Sequence, residues 1–326
     1  MNNISDPSRK SRDIPVLIDT DPGIDDAFAI MLCATDPSVR IKAITTVAGN
    51  VTLDHTLNNA LLLKHMLGLN GTVVSKGAEK PLVRPAGRVT RVHGYDGLGG
   101  LGRIVEGSVD TFPAWDRIYA EAVEEKGELC ILAIGPLTNI AISIQKHPDF
   151  PELVKKLVIM GGSGSIGNVT PAAEFNSWVD PEACEAVFRS GIPIVLCGLD
   201  GLQTGALSED DINGLISDYQ DKGGITEKLA IPLLAYAQRG HHGWNGNDTI
   251  AIYDMAAALC LLYPEQAICR NAHLACEISD EASAGRTIIS NPLEGDQTQI
   301  LLSMDKNVYI DHIRRMLTSL EIVHEK

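Results

Sequence analysis

The sequence predicts one α/β domain built on a mostly parallel sheet wound with helices, with a more helical C-terminal part. Short apolar runs alternate with segments of helical spacing from residue 14 onward, a pattern typical of parallel sheets covered by helices. The chain has 326 residues, of which 44% are hydrophobic, so it can bury a large core. No repeat or Pro/Ser-rich linker divides it. We therefore expect a disordered tail over residues 1–13 and a single domain over 14–326.

The individual elements follow from the spacing of apolar residues. Short, branched-rich runs bounded by turn residues predict strands, and apolar residues at every third or fourth position predict helices. The predicted strands span residues 14–19, 41–47, 72–75, 129–134, 157–160, 192–197, 272–278, 287–290 and 299–303. The predicted helices span residues 25–34, 53–67, 113–126, 137–145, 210–220, 225–238, 255–262 and 308–320, and another starts near Asp180. Residues 76–112 are Gly-rich and irregular, which is typical of a functional loop.

Composition excludes several classes of partner. The chain carries 42 acidic residues and 27 Lys or Arg residues, a formal net charge of −15. Such a surface repels phosphate backbones and anionic lipids, so we expect neither a nucleic-acid nor a membrane partner. No unbroken apolar stretch is long enough to span a bilayer. Seven cysteines without a C-x-x-C pair are typical of buried thiols in a reducing compartment, which predicts a cytoplasmic protein.

An acidic cluster follows the first predicted strand, and its members are Asp19, Asp21, Asp25 and Asp26. Ligands of open α/β sheets bind at the carboxyl ends of the strands, which is where this cluster lies. Asp25 and Asp26 could cap a helix, but four neighbouring carboxylates need a proton or a cation between them. Because the candidate ligands are all hard oxygens, the cluster favours Ca²⁺ or Mg²⁺ over zinc.

A second polar segment follows the strand predicted at 157–160. Residues 162–167 match the G-x-G-x-x-G pattern of dinucleotide sites, but that motif requires a helix to open at once, and here a polar, proline-containing stretch follows instead. Asn168, Glu174 and Asn176 lie in this stretch. Amide and carboxylate groups bind sugar hydroxyls in pairs, so beside a metal-binding cluster they indicate a polyhydroxylated ligand.

Several motifs together resemble the nucleoside hydrolase family, the inosine-uridine preferring nucleoside N-ribohydrolases. They are DTDPGIDDAFAI from Asp19, AGN ending at Asn50, the loop at His93, IGPLTN from Ile134, and MGG…GNVTPAAEFN from Met160. The match runs from about residue 14 to the C-terminal helix. The resemblance implies a Rossmann-like nucleoside hydrolase fold and Ca²⁺-dependent hydrolysis of the N-glycosidic bond of ribonucleosides. It also implies free base and ribose as products, a role in nucleoside salvage, and a homodimer or homotetramer.

The same resemblance implies roles for individual residues. The implied Ca²⁺ ligands are Asp21, Asp26, the main-chain carbonyl of Ile134, and Asp254. The residues implied around the ribose are Asp25, Asn50, Met160, Asn168, Glu174, Phe175 and Asn176. Asp21 would also take a proton from the attacking water, His93 would point toward the base, and Asp19 would lie behind the metal ligands.

One position departs from the family pattern. Many members have His immediately before the last Asp ligand, as a donor to the leaving base, and here that residue is Tyr253. A phenol with a pKa near 10 can donate a hydrogen bond at pH 7 but is a weaker acid than imidazolium. Tyr253 therefore either assists the leaving base or only packs on it. His93, His241 and His242 are alternative donors, and Trp244 could stack on a base.

Two other functions stay open at this point. The missing histidine allows a Ca²⁺-stabilised nucleoside or sugar binder with weak or no turnover. A Mg²⁺-dependent phosphatase would use Asp19 as its nucleophile, although the sequence offers no phosphate-binding Lys or Arg near the cluster. Release of free ribose distinguishes a hydrolase from both.

Overall fold

The computed structural model describes residues 13–87, 92–241 and 249–322, and of residues 240 and 241 it describes the backbone alone. Apart from Asp13, the predicted tail over residues 1–13 lies outside this range, so its disorder and the domain start at residue 14 stay predictions. Within the described ranges, no helix is long and apolar enough to cross a membrane.

Parallel strands dominate the fold. The strands of the described residues are β1 (Ile14–Thr20), β2 (Val39–Thr46), β3 (Val73–Lys76), β4 (Leu129–Ala133), β5 (Val154–Met160), β6 (Ile194–Cys197), β7 (Leu207–Ser208), β8 (Thr249–Ile250), β9 (Ala267–Asn271), β10 (His273–Cys276), β11 (Thr287–Ser290) and β12 (Thr298–Met304). Eight of them form one sheet in the order β3-β2-β1-β4-β5-β6-β12-β9, in which each neighbouring pair is parallel except β12 with β9. The predicted α/β class with a mostly parallel sheet is confirmed.

Helices connect most of these strands and predominate after β6. The α-helices of the described residues are α1 (Ile24–Thr35), α2 (Leu53–Met66), α3 (Ala114–Glu125), α4 (Thr138–Lys146), α5 (Phe175–Val179), α6 (Pro181–Phe188), α7 (Leu199–Leu202), α8 (Glu209–Tyr219), α9 (Ile231–His241), α10 (Tyr253–Leu262) and α11 (Lys306–Glu321). A π-helical turn, Thr226–Ala230, directly precedes α9. Asp180 caps α6 by accepting from the backbone N–H of Ala183, as the Asp-Pro-Glu sequence predicts. The helical C-terminal part is therefore also confirmed.

The two faces of the sheet are covered by two separate cores. Successive side chains of a strand point to opposite faces, so Val16 and Ile18 pack in one core while Leu17, between them, packs in the other. The first core contains apolar residues of α1, α2, α9, α10 and α11, and the second contains those of α3, α4 and α6. Burial on both faces explains why the central strands are continuous apolar runs.

The sequence prediction and the structure differ at the sheet edge. Of the strand predicted at 272–278, only β10 forms, and it pairs with β11 outside the main sheet. The sequence does not predict the edge strand β9, because its largely exposed residues include Arg270 and Asn271 and lack an apolar pattern. Helix α5 also lies where a loop is predicted, since its 5 residues are too few for periodicity to be visible.

The strand order places a crevice beside the acidic cluster. From β1 the chain adds β2 and β3 on one side, whereas β4, β5 and β6 continue on the other, so the order reverses between β1 and β4. Ligands of open α/β sheets bind outside the carboxyl ends of the strands at such a point. Asp19 pairs with Ala133 near the ends of β1 and β4, and Asp21 and Ile134 follow directly.

A hydrogen bond from α11 fixes the start of α10. Tyr309 of α11 is buried, and its hydroxyl donates to the carbonyl oxygen of Ile252 at 2.8 Å. Ile252 directly precedes α10, whose second residue is Asp254. The C-terminal helix therefore helps to hold Asp254 at the crevice.

We expect Tyr309→Phe to lower the free energy of unfolding by about 1 kcal/mol, because a buried hydroxyl–carbonyl hydrogen bond is lost with little change in packing. Urea denaturation measures the change. Tyr95→Phe is the matched control: Tyr95 is 77% exposed, so its change should stay within about 0.5 kcal/mol. Equal losses in the two variants would contradict an anchoring role for Tyr309.

Candidate active site

Asp19 is buried at the end of β1 and faces away from solvent. Its Oδ1 accepts hydrogen bonds from the Thr45 hydroxyl at 2.6 Å and from Asn139 Nδ2 at 2.8 Å, and its Oδ2 has no hydrogen-bond partner among the described residues. Burial raises the pKa of Asp19 to about 7, although both hydrogen bonds oppose this shift. Asp19 does not line the cavity described below, and neither do Asp21 and Asp26, so this observation does not separate Asp19 from them.

Asp21 is held between two glycines. A Cβ on Gly49 would lie 2.1 Å from Asp21 Oδ2, and a Cβ on Gly135 would lie 2.8 Å from Oδ1, so only glycine allows this approach. The backbone N–H of Asn50 donates to Oδ2 at 2.6 Å, while Oδ1 has no hydrogen-bond partner among the described residues. Burial, followed by the charges of Asp26 and Asp25, raises the pKa of Asp21 well above its usual range.

Asp26 is fixed by donors from three directions. Its Oδ1 accepts from the Thr20 hydroxyl, and its Oδ2 accepts from the backbone N–H of Gly23 at 2.9 Å and from Asn50 Nδ2 at 3.2 Å. Burial, followed by the charge of Asp25, raises the pKa of Asp26 to about 6 despite these hydrogen bonds. The segment before α1 and the loop after β2 therefore orient this carboxylate together.

A group of three carboxylates meets at the start of α1 and α10. One oxygen from each of Asp25, Asp26 and Asp254 lies within 4.8 Å of the others. Burial raises the pKa of Asp25 to about 6, and it raises the pKa of Asp254 well above its usual range, where the charges of Asp25, Asp26 and Asp21 add to the shift. Asp26 and Asp254 are both implied Ca²⁺ ligands, and they lie together although most of the chain separates them. The third member of this trio is Asp25, which the resemblance implies at the ribose, and not Asp21.

These observations fit a hard divalent cation. Like charges at this spacing cannot all ionise in a buried site unless a cation lies between them. The donors are oxygens throughout, and Asp21 Oδ1 and Asp25 Oδ1 are buried without a hydrogen-bond partner among the described residues. The carbonyl of Ile134 accepts from Asn176 Nδ2 at 3.1 Å, and a carbonyl oxygen has a second lone pair for another partner.

The loop after β5 brings the predicted sugar-binding residues to the same place. Glu174 caps α5: its oxygens accept from the backbone N–H groups of Gly162, Asn176 and Ser177 at 2.9 to 3.2 Å. Burial raises the pKa of Glu174 to about 7 against these hydrogen bonds. Asn168 Oδ1 accepts from the backbone N–H of Phe175 at 2.9 Å. No helix starts directly after residues 162–167, so the glycine pattern there is not a dinucleotide site.

One cavity joins the cluster to this loop. Its described lining residues are Ile24, Asp25, Asn50, Val92, His93, Ile134, Met160, Asn168, Glu174, Phe175, Asn176, Ala237, Ile250, Ala251, Ile252, Tyr253 and Asp254. The structure thus brings together most residues that the sequence predicts for the site. Sequence reasoning did not find the apolar part, such as Val92 and Ile250, because isolated apolar residues give no local signal of a binding wall.

His93 lies in the long irregular loop and is fixed in one orientation. The backbone N–H of Ile24 donates to its Nδ1 at 3.1 Å, and the same nitrogen lies 3.7 Å from Asp25 Oδ1. Burial lowers the pKa of His93 to about 4. The ring is therefore neutral near pH 7, with its proton on Nε2. Asp96 braces the loop by accepting from three backbone N–H groups at 2.8 to 3.1 Å.

Tyr253 lines the cavity from the first turn of α10. Its hydroxyl donates to Gln203 Oε1 at 3.1 Å. Burial, followed by the charges of Asp25 and Glu174, raises the pKa of Tyr253 to about 12, so the phenol stays protonated. The other proposed base contacts are not described: His242 and Trp244 lie outside the described residues, and only the backbone of His241 is described.

The chain is similar to known nucleoside hydrolases over most of its length. Residues 16–311 match the inosine-uridine preferring nucleoside hydrolase family. The chain is 33% identical over 319 residues to the pyrimidine-specific ribonucleoside hydrolase RihA of Photobacterium profundum, and the match covers 94% of this chain and 99% of that protein. It is 36% identical over 296 residues to the non-specific ribonucleoside hydrolase RihC of Salmonella enteritidis, covering 89% and 93%.

The fold of this chain is also similar to that of a solved nucleoside hydrolase structure. The plant nucleoside hydrolase PpNRh1 superposes with a TM-score of 0.86 at 28% identity, over 94% of this chain and 99% of that chain. The sequence match, the curated relatives and the fold all cover nearly the whole chain. The protein therefore belongs to the inosine-uridine preferring nucleoside hydrolase family.

Proposed function

We propose that this protein hydrolyses the N-glycosidic bond of ribonucleosides in a Ca²⁺-dependent reaction, giving free base and ribose for nucleoside salvage. One observation carries the proposal: the carboxylates of Asp25 and Asp254 line the same cavity as the amides and carboxylate of Asn168, Glu174 and Asn176. A cation site and a set of hydroxyl-binding groups are the two parts that such a reaction requires.

The ligands proposed for Ca²⁺ are Asp21, Asp26, the carbonyl of Ile134, and Asp254. Asp25 lies close enough to Asp26 and Asp254 to contribute as well. When bound, the cation supplies Lewis acidity that makes a nearby water easier to deprotonate, and it offsets the negative charge of the cluster. Ca²⁺ accepts more ligands and less regular geometry than Mg²⁺, which suits donors drawn from distant parts of the chain.

Asp21 is the proposed general base. Asn50 fixes one of its carboxylate oxygens, and the other has no hydrogen-bond partner among the described residues. A positioned carboxylate of this kind can accept a proton from water as the water attacks C1′ of the ribose. The C1′–N bond breaks in the same step, and the ribose becomes oxocarbenium-like, as in inverting glycosidases. The bonding electron pair leaves with the base, whose nitrogen then gains a proton, and Asp21 returns its own proton to solvent.

The polar residues around the cavity are proposed to bind the ribose. Asp25, Asn50, Asn168, Glu174 and Asn176 offer carboxylate and amide groups to its hydroxyls, and Met160 and Phe175 pack against the ring. Carboxylates close to the sugar also favour positive charge on it, which lowers the barrier to bond cleavage. Fixed hydroxyl contacts align C1′ with the attacking water.

His93 and Tyr253 are the proposed contacts of the leaving base, with His241, His242 and Trp244 as further candidates. The related hydrolases named above differ in base preference, so the family alone does not select a base. We further propose a cytoplasmic enzyme, since all seven cysteines are free thiols, and a homodimer or homotetramer.

The phosphatase alternative lacks support because none of the described residues that line the cavity is Lys or Arg.

A direct assay distinguishes the proposed hydrolase from a nucleoside binder without turnover. Purified protein is incubated with purine and pyrimidine nucleosides, with and without a chelator, and reducing sugar is measured. Calorimetric binding without sugar release over hours would favour the binder.

We expect the effect of Asp254→Asn on thermal stability to depend on Ca²⁺: neutral or stabilising without the cation, and destabilising with it. Without Ca²⁺ the variant should unfold at the same temperature as the unmodified protein or higher, because a buried like charge is removed. Ca²⁺ at 100 times its Kd should stabilise the unmodified protein by about 2.7 kcal/mol and the variant much less. Thermal unfolding with and without EGTA measures both effects.

The control for this experiment is Asp218→Asn, since Asp218 is exposed and pairs only with Arg314 in the described structure. It should keep the full Ca²⁺ response. An equal response in Asp254→Asn would contradict a cation site at Asp254.

We expect Asp21→Asn to lower kcat by about 10²- to 10⁴-fold, the usual contribution of a positioned base. Asparagine has nearly the same shape as aspartate, but its single oxygen cannot both accept from Asn50 and ligate Ca²⁺. The assay is therefore run at saturating Ca²⁺, where KM should change little. Steady-state ribose release measures both constants, with Asp218→Asn as the control. A kcat within threefold of the unmodified enzyme would exclude Asp21 as the base.

A further inference from the structure

The hydroxyl of Tyr253 has a defined hydrogen-bond direction. It donates to Gln203 Oε1 at 3.1 Å, and because an amide oxygen can only accept, the phenolic proton points to Gln203. A tyrosine hydroxyl has a single proton. Once that proton is engaged, the oxygen offers only lone pairs to other groups.

Gln203 is itself oriented by a second contact. It lies in a short 3-10 turn over Gln203–Gly205, and its Nε2 donates to the hydroxyl of Thr249 at 3.1 Å. Thr249 belongs to β8, which pairs with β7 just beyond this turn. The amide contacts both hydroxyls, and in the structure its nitrogen faces Thr249 and its oxygen faces Tyr253.

His93 and Tyr253, the two groups proposed to contact the base, have opposite hydrogen-bonding roles. His93 receives the N–H of Ile24 on Nδ1 and so presents an Nε2–H donor. Tyr253 presents an acceptor. The side chains of the adjoining lining residues Ile250 and Ile252 are apolar, so the Tyr253 oxygen is the side-chain acceptor beside them for a donor on the substrate.

We infer that Tyr253 is a specificity-determining hydrogen-bond acceptor, oriented by Gln203, and that the preferred substrates are nucleosides whose base carries an N–H donor. The inference rests on the proposed function and extends it to the class of base. Gln203 acts through Tyr253 and is a positioning residue. In this arrangement Tyr253 recognises the base and does not protonate it.

Paired substrates test the inference. The pairs are uridine with N3-methyluridine and inosine with 1-methylinosine, because methylation removes the N–H donor. The enzymes are the unmodified protein, Tyr253→Phe, Gln203→Leu and Gln203→Glu. The ratio of kcat/KM within each pair is measured by ribose release, and the ratio of Kd is measured calorimetrically in Asp21→Asn protein, where turnover is expected to be slow.

We expect the unmodified enzyme to prefer the unmethylated member of at least one pair by about 10- to 100-fold. The added methyl group also costs space, but that part is the same in Tyr253→Phe, where the ratio should fall by about tenfold. Gln203→Leu frees the hydroxyl to turn its proton inward, so the ratio should fall there too. Gln203→Glu keeps an acceptor for that proton and should retain the preference.

Several results would overturn the inference. An equal ratio in the unmodified enzyme and in Tyr253→Phe would contradict the acceptor role of Tyr253. An unchanged ratio in Gln203→Leu would contradict the positioning role of Gln203. If Gln203→Leu fails to fold, Thr249→Val replaces it, since it frees the amide to rotate and should also lower the ratio. Absence of ribose release from every nucleoside would refute the proposed function instead, and the Kd ratios would still decide the role of Tyr253.

Discussion

Repulsion among buried carboxylates is the constraint on which the rest of this structure depends. Asp21, Asp25, Asp26 and Asp254 lie together at the carboxyl edge of the sheet, and burial raises the pKa of each. A chain that only had to fold would not assemble them, because each ionised group adds to an unfavourable field at low dielectric. The proposed cation would account for their assembly, at a local cost in the stability of the fold.

The surrounding fold supplies what the cluster needs to form at all. Backbone N–H groups and hydroxyls reach the carboxylates from short turns after β1 and β2, and these turns can approach closely because they contain glycine. Gly23, for example, would bring a Cβ within 2.8 Å of both Asn50 Nδ2 and His93 Nδ1. Tyr309 holds the opposite side by fixing the residue before α10. The crevice is therefore assembled from three distant parts of the chain.

Sequence reasoning predicted the features that are encoded locally. The alternation of apolar runs gave the parallel sheet, and the spacing of Asp19 to Asp26 gave the acidic cluster. Asp254 is implied only by the family resemblance, because a single acid in the first turn of a helix is equally typical of an acid that stabilises the helix start. β9 and Gln203 were not predicted, since an edge strand depends on its neighbour and the role of Gln203 depends on contacts 46 and 50 residues away.

The glycines beside Asp21 divide the crevice into a part that tolerates replacement and a part that does not. Any side chain at Gly49 or Gly135 would collide with the carboxylate that the proposed chemistry uses. The apolar wall at Val92 and Ile250 carries no ionisable group and lines the same space. A randomised library for new base selectivity should therefore vary the apolar wall residues and keep those glycines. Selection then acts on recognition of the base, while the position of the Asp21 carboxylate is preserved.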